Sequence, residues 1–397
     1  MRPHIATDML QLLAIALSEL NGHNIEMAEL LAPPHYLPPR LSQEMNLIRK
    51  MGQCSRSDLH RLMACRKNTI GQDVSTLLEL GLIRESSLHT LPRGRPSVPL
   101  EIDTQSRHVL GVAIVPGSVS CGRYNLLGQP LDSPTMVTIK DPSKLLPVCK
   151  KIVKQMTNSQ TVITGLSIPG MMDQEQIKIL SSSAWPDGQQ VSLKPLARQA
   201  DDKLIVDNLT NALGTRWLLE HSDEPHHDHL LILLSDGMLG ATLLINGHPI
   251  RGCITCSNEL GHTRMPVPTP RCYCGHQGCL ERIFSSAYLK DQGCRQSLKA
   301  AILDIATHPG VKQMTELLVM GLANAVNFCR PSYLTIMTDL PGTESYINKL
   351  MEQVRDQSLH EFGSRMQMQH WIEPAAQPAA NGAALALTKL YFNNATE

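Results

Sequence analysis

Hydrophobic positions along this chain follow two different periods, and the change between them divides it. Up to about residue 90 they recur at helical spacing. A helix is expected over 8–31, where Gln11 and Glu19 interrupt an apolar stretch from Met9 to Leu20. Ala32-Pro33-Pro34-His35-Tyr36-Leu37-Pro38-Pro39 then reads as a stiff spacer. Leu41, Met45 and Ile48 fall on one helical face. A short second helix is expected from Ser57 to Leu62, with Ser57 as its N-cap. A third runs from Asn68 to Leu80, closed by Gly81 at the C′ position. Leu82-Ile83-Arg84 reads as a short strand, and Pro92, Gly94, Pro96 and Pro99 mark a linker.

From residue 101 short apolar runs alternate with helical segments. Val109–Val115, Val162–Ile168, Leu204–Val206 and Leu230–Leu234 suit buried strands, and Asn381 to Tyr391 an alanine-rich closing helix. The pattern predicts an α/β body of nearly 300 residues, split into two lobes. The expected division is an N-terminal extension over 1–40, a small helical unit over 41–92, a linker over 93–100 and the body over 101–397. No short-period repeat or low-complexity tract is evident.

Composition narrows the classes. The chain has 397 residues, 42% of them hydrophobic and 18% charged, which suits two or three folded units rather than a disordered chain. No apolar run is long enough for a transmembrane helix, and the N-terminus reads as an amphipathic helix rather than a signal peptide. A cytoplasmic protein is expected, with its 11 cysteines mostly reduced. Lysine plus arginine and aspartate plus glutamate number 36 each, so the chain is not globally basic. Between 41 and 97, however, nine basic side chains face five acidic ones, a local net charge of +4. A basic module on a mildly acidic body suits DNA binding at one end.

Three of the cysteines crowd into Cys272-Tyr273-Cys274-Gly275-His276-Gln277-Gly278-Cys279. Gly275 and Gly278 let the backbone turn sharply enough to aim the thiols inward. His262 lies ten residues upstream and can supply a fourth ligand. One histidine and three cysteines form a normal tetrahedral set for structural zinc, with the thiols bound as thiolates. His276 is a local alternative to His262, and unliganded thiols are the plainer competing explanation. His226-His227-Asp228-His229 reads as a polar loop before a strand. Cys253 and Cys256 have Cys-x-x-Cys spacing without a second pair and read as packing residues.

Glu259-Leu260-Gly261-His262, with Cys272-x-Cys274-Gly275-x-x-Gly278-Cys279-x-Glu281 after it, resembles the signature of the ROK family, which groups sugar kinases with sugar-responsive transcriptional repressors. Ser167-Ile168-Pro169-Gly170, Val206-Asp207-Asn208, Ile245-Asn246-Gly247 and Asn381-Gly382-Ala383-Ala384 extend the resemblance over the body. It implies a two-lobed, actin-like and hexokinase-like fold with a sugar site in the cleft. It also implies sugar contacts at Glu259, His262 and Glu281, with Asn208 a further candidate. Carboxylates suit sugar hydroxyls because charge-assisted hydrogen bonds are strong.

The resemblance also shows what this chain lacks. The family's kinases carry a phosphate loop of Asp-x-Gly-Gly-Thr type on the first strand; here Gly111-Val112-Ala113-Ile114-Val115-Pro116-Gly117-Ser118 has neither the aspartate nor the paired glycines. Their Gly-Thr-Gly-x-Gly loop aligns with Asp236-Gly237-Met238-Leu239-Gly240. Their catalytic aspartate lies in Asn-Asp-Ala-Asn; here the sequence is Asn208-Leu209-Thr210-Asn211. Leucine cannot accept a proton, and losing a general base costs about 10²–10⁴ in rate. Asp207, one residue earlier, is expected to point elsewhere. No enzymatic activity is expected.

The 41–92 unit resembles the winged helix-turn-helix of the family's repressors in Ser55-Arg56-Ser57-Asp58-Leu59, Glu79-Leu80-Gly81-Leu82-Ile83 and Arg93-Gly94-Arg95-Pro96. Asn68, Thr69 and Gln72 are expected to meet base edges, Arg66 and Lys67 phosphates, and Arg93 and Arg95 a minor groove. The expected function is a sugar- or sugar-phosphate-responsive transcriptional regulator, most simply a repressor, acting on an operator as a homo-oligomer. A sugar kinase with a fused reader and a sensor of a protein partner are its competitors.

Overall fold

A computed structural model describes residues 37–86, 98–173, 176–185, 190–200, 203–221, 228–250, 258–304, 308–372 and 377–392. The helix expected over 8–31, Arg93, Arg95, His226, His227, Cys253 and Cys256 lie outside the described residues.

The N-terminal unit packs three helices against a two-stranded hairpin. Helix α1 (Pro39–Met51) begins with proline at its first position, where the missing N–H costs nothing. It buries Leu41, Met45 and Ile48, as their spacing requires. Helix α2 (Arg56–Met63) starts earlier than expected: Ser55, not Ser57, is its N-cap. Ser55 and Asp58 form a reciprocal capping box, worth about 1 kcal/mol, which Ser57 has no acid three residues on to complete. Ala64 then takes a left-handed conformation, turning the chain into α3 (Lys67–Glu79). Gly81, at φ +68°, closes α3 as expected.

Strand β1 (Ile83–Glu85) pairs antiparallel with β2 (Leu100–Ile102), in register Ile83 with Ile102. This closing strand lies in residues that the expected boundaries give to the linker and the body. The reader is therefore continuous with the body. Its helices share one hydrophobic core with Val109, Tyr124 and Leu126 of the body and with the last helix. The Ser42 hydroxyl donates to the Leu390 carbonyl at 2.8 Å inside that core.

The body has two five-stranded sheets. The first contains β3 (His108–Val115), β4 (Ser118–Asn125), β5 (Thr135–Thr138), β6 (Thr161–Ile168) and, beyond a small sheet of β7 (Met171–Asp173), β8 (Lys178–Ser181) and β9 (Val191–Ser192), β10 (Leu204–Asn208). The second contains β11 (His229–Ser235), β12 (Met238–Ile245), β13 (His248–Pro249), β14 (Tyr333–Thr338) and β15 (Gln367–Ile372). Their orders are β5-β4-β3-β6-β10 and β13-β12-β11-β14-β15. In each, an antiparallel meander precedes two parallel strands. The same topology thus occurs twice, as in an actin-like body.

Between the sheets lie α5 (Leu209–Glu220) and α9 (Pro378–Tyr391), while α4 (Leu145–Met156) covers the outer face of the first sheet, and α7 (Pro309–Cys329) and α8 (Glu344–Gln357) pack on the second. The approach of α9 to the first sheet needs glycine on both sides. A Cβ at Gly165 would collide with the Gly382 carbonyl, and one at Gly382 with the Val112 carbonyl.

His229 is not in a loop. It opens β11, 2% exposed, with Nε2 2.7 Å from Thr335 Oγ1 and its ring edge-on to Trp217. Burial drives its pKa down to about 3, so the ring is neutral. Among the described residues no helix is long and apolar enough to cross a membrane.

Candidate functional site

The cysteine segment forms a compact knuckle. Gly275 N donates to Cys272 O at 2.9 Å and Cys272 N to His276 O at 3.0 Å, closing the turn. Gly278, at φ +86°, leaves no room for a Cβ, which would fall 2.6 Å from Met265 O. The short helix α6 (Leu280–Ile283) comes directly after it and carries Glu281 into the body. Donor atoms of His262, Cys272, Cys274 and Cys279 all lie within 4.8 Å of one another. His262 Nδ1 is 3.6 Å from Cys272 Sγ, and the Cys274 and Cys279 sulfurs are 3.6 Å apart. A tetrahedral zinc ion holds such ligand atoms about 3.5–3.8 Å apart, so the quartet fits one. Burial raises the thiol pKa of Cys279 to about 11 and that of Cys272 further, so a cation is what would favour their thiolates. His276 is exposed and meets only Cys274, at 3.6 Å, among the quartet's sulfurs.

The knuckle backs onto a narrow cleft between the lobes, lined in part by Asn208, Leu209, Glu259, Tyr273 and Glu281. Gly261 permits the fit: a Cβ there would strike the Leu239 carbonyl of β12. Glu281 is 4% exposed, and its Oε1 has no hydrogen-bond partner among the described residues. Burial pushes its pKa up to about 8 and that of Glu259 up to about 7. A buried acceptor without a donor is expensive, and a hydroxyl-rich ligand would satisfy it.

Asn208 is committed in part to the fold. Its Oδ1 caps α5 by accepting from Thr210 N (2.8 Å) and Thr210 Oγ1 (2.7 Å), and its Nδ2 donates to Gly170 O (2.6 Å). One Nδ2 hydrogen remains to face the cleft.

His262 does not line the cleft. Tyr273 stands in front of it, with the phenol oxygen 3.1 Å from His262 Nε2 and Glu259 Oε2 3.7 Å from the same nitrogen. Tyr273 was not anticipated from the sequence. Its position between two cysteines of the quartet was the available signal, since a residue there is fixed as rigidly as its neighbours.

Leu209 begins α5, 4% exposed, in the cleft wall. Asp207 is 2% exposed and turned from the cleft, its carboxylate accepting from Asn211 Nδ2 at 3.0 Å. Asp236 accepts from the Ser286 amide at 2.7 Å and from the Ser286 hydroxyl.

In the reader, Arg66, Lys67, Asn68 and Gln72 are exposed on α3 and Thr69 is half-buried. Ser75, also exposed, continues the same face at helical spacing and was not anticipated. Asp73 points inward and pairs with Arg40 through two hydrogen bonds, of 2.5 and 2.9 Å.

Comparison with known proteins respects the same division. The Xylose repressor of Bacillus subtilis is 22% identical, over 81% of this chain and 88% of its own length. The DNA-binding transcriptional repressor Mlc of Escherichia coli is 23% identical, over 87% of this chain and 92% of its own. The body is about three quarters of the sequence, so both matches run into the reader. An N-acetyl-D-glucosamine kinase of Salmonella typhi is 28% identical but matches only 48% of this chain. Among solved structures, a ROK family transcriptional regulator described as a homolog of the E. coli Mlc protein superposes with TM-score 0.72 at 23% identity, covering 89% of this chain and 96% of that one. A ROK family glucokinase from Streptomyces griseus, in complex with glucose and AMPPNP, gives 0.53 at 20% identity, covering 70% of this chain and 98% of its own. Both share the fold. The ROK family model matches residues 132–388, from β5 almost to the end of α9. On that match, which takes in the second sheet, part of the first and the cysteine knuckle, the chain belongs to the ROK family.

Proposed function

We propose that this chain is a sugar-responsive DNA-binding transcriptional repressor whose kinase-like body senses a sugar or sugar phosphate without phosphorylating it. The observation that carries the proposal is the cleft itself. Glu259 and Glu281 converge on it as acceptors, while the apolar Leu209 comes after Asn208 in its wall. Recognition groups are present, and a leucine stands where the family's kinases carry their catalytic aspartate.

We assign zinc to His262, Cys272, Cys274 and Cys279. Bound there, zinc would hold three thiolates and one imidazole nitrogen in a fixed tetrahedron. His262 then presents Nε2 to Tyr273 and Glu259 and fixes their positions, acting on the sugar through them. Glu281 lies two residues past the last ligand and inherits the knuckle's rigidity.

In the reader, Asn68, Thr69 and Gln72 read bases, and Arg66 and Lys67 hold phosphates. Arg93 and Arg95, in the segment joining β1 to β2, reach a minor groove. Two readers in a homo-oligomer would bind half-sites about one helical turn apart. Closure of the lobes on sugar would alter that spacing, and by linkage DNA-bound protein would bind sugar less tightly.

The test is operator affinity with and without glucose, xylose, N-acetylglucosamine and their phosphates, for the native chain and Glu259→Ala/Glu281→Ala. One of these ligands should weaken operator binding by the native chain and leave the double variant unaffected. ATP-dependent phosphorylation of any of the sugars at a useful rate would overturn the reading in favour of a kinase with a fused reader.

A further inference from the structure

A second cavity, of about 330 Å³, lies where the reader meets the body and shares no lining residue with the sugar cleft. Arg49 of α1, Tyr124 of β4, Gln129 of the turn after it, Arg216 and Glu220 of α5 and Leu387 of α9 face it. Its size is at the lower end of small-molecule sites.

The chemistry is polarised. Two guanidinium groups and one carboxylate line it. Arg49 lies over the Tyr391 ring, 5.0 Å from its centroid, and donates to Leu219 O at 3.3 Å. Arg216 pairs with Glu220 at 2.6 Å. The Tyr124 ring is 1% exposed, and its hydroxyl has no hydrogen-bond partner among the described residues. A buried hydroxyl left unmatched costs stability. Burial pushes its pKa up to about 12 against the pull of Arg216, so it remains a neutral donor.

We propose that this cavity is a second ligand site, for a small organic anion bearing a phosphate or carboxylate group. The anion pairs with Arg49 and Arg216, accepts from the Tyr124 hydroxyl, and lays its carbon skeleton on Leu387. The position gives such a ligand leverage. Arg49 belongs to the reader, and α5 runs from this cavity to the cleft, its Leu209 and Leu219 about 15 Å apart along the axis. An occupant therefore ties the reader to the helix whose other end bears Asn208 and Leu209.

Calorimetry and thermal shift on the full chain test this without DNA, using glucose 6-phosphate, gluconate, inorganic phosphate and glucose. Glucose 6-phosphate or gluconate should bind saturably, and whichever binds identifies the anionic group. Binding should persist in Glu259→Ala/Glu281→Ala. It should weaken about tenfold in Arg49→Gln and about three- to tenfold in Tyr124→Phe. Tyr124→Phe removes a buried group with no partner among the described residues, so it should hold or raise the melting temperature of the unliganded protein and serves even if Arg49→Gln misfolds. The proposal is overturned if neither organic anion saturates, if Tyr124→Phe leaves binding unaltered, or if the cleft variant abolishes it. A surviving cleft response with no binding here would defeat this proposal alone.

Discussion

Glu44 shows at the residue scale how closely the helices of the N-terminal unit pack on one another. It is 0% exposed, and Asp73 is its acidic neighbour. Burial first, and the Asp73 charge second, raise its pKa to about 8, with Arg40 opposing. The folded chain thus holds a proton that the unfolded chain releases near about pH 4.3. The resulting stability is complete below that value and is lost as pH rises through about 8. Thermal unfolding at about pH 6 and about pH 9 checks this: the native chain should lose more stability across that range than Glu44→Gln. At the knuckle, Cys279→Ser should lower bound zinc from about one ion per chain to well below that, and the unfolding midpoint by several degrees, by elemental analysis and calorimetry. The convergence of His262 and the three cysteines was legible because their spacing is local. Tyr273 was not, because its position before His262 depends on how the knuckle folds back.

At the scale of elements, α3 carries the test of DNA reading. Gln72→Ala should cost about 1–3 kcal/mol at one operator position and relax specificity there, whereas Lys67→Ala should weaken all sequences alike and lower the salt slope by about one. Binding isotherms over a salt series separate the two. Helical periodicity placed all three reader helices to within a few residues. It misplaced the α2 cap because Ser55 and Ser57 are chemically alike, and only Ser55 has an acid at the reciprocal position. It also assigned β2 to the linker and body, since three residues beside prolines carry no strand signal until β1 pairs with them. In the body, the four expected strands are the buried β3, β6 and β11 and the half-buried, apolar β10. Strands such as β5 and β15, with half-buried or exposed faces, escaped a search for apolar runs.

The whole molecule depends on the contact of α9 with the first sheet. Gly165→Ala should destabilise the body by more than about 3 kcal/mol, because the new methyl meets a backbone carbonyl that cannot move aside. Chemical denaturation measures it, and an unchanged midpoint would show that the helix can slide. α9 also joins the core of the N-terminal unit, so this contact links the lobes to its helices. The sequence by itself determined the grouping of His262 with three cysteines, the leucine at position 209, the N-terminal helices and the α/β body, because each rests on residue identity at short, regular spacing. Only the tertiary structure decided that the two sheets repeat one topology, that the reader shares the body's core, that Tyr273 screens His262, and that Arg49 and Tyr124 meet in one cavity. Those are contacts between residues far apart in the chain, fixed by close packing rather than by any local pattern.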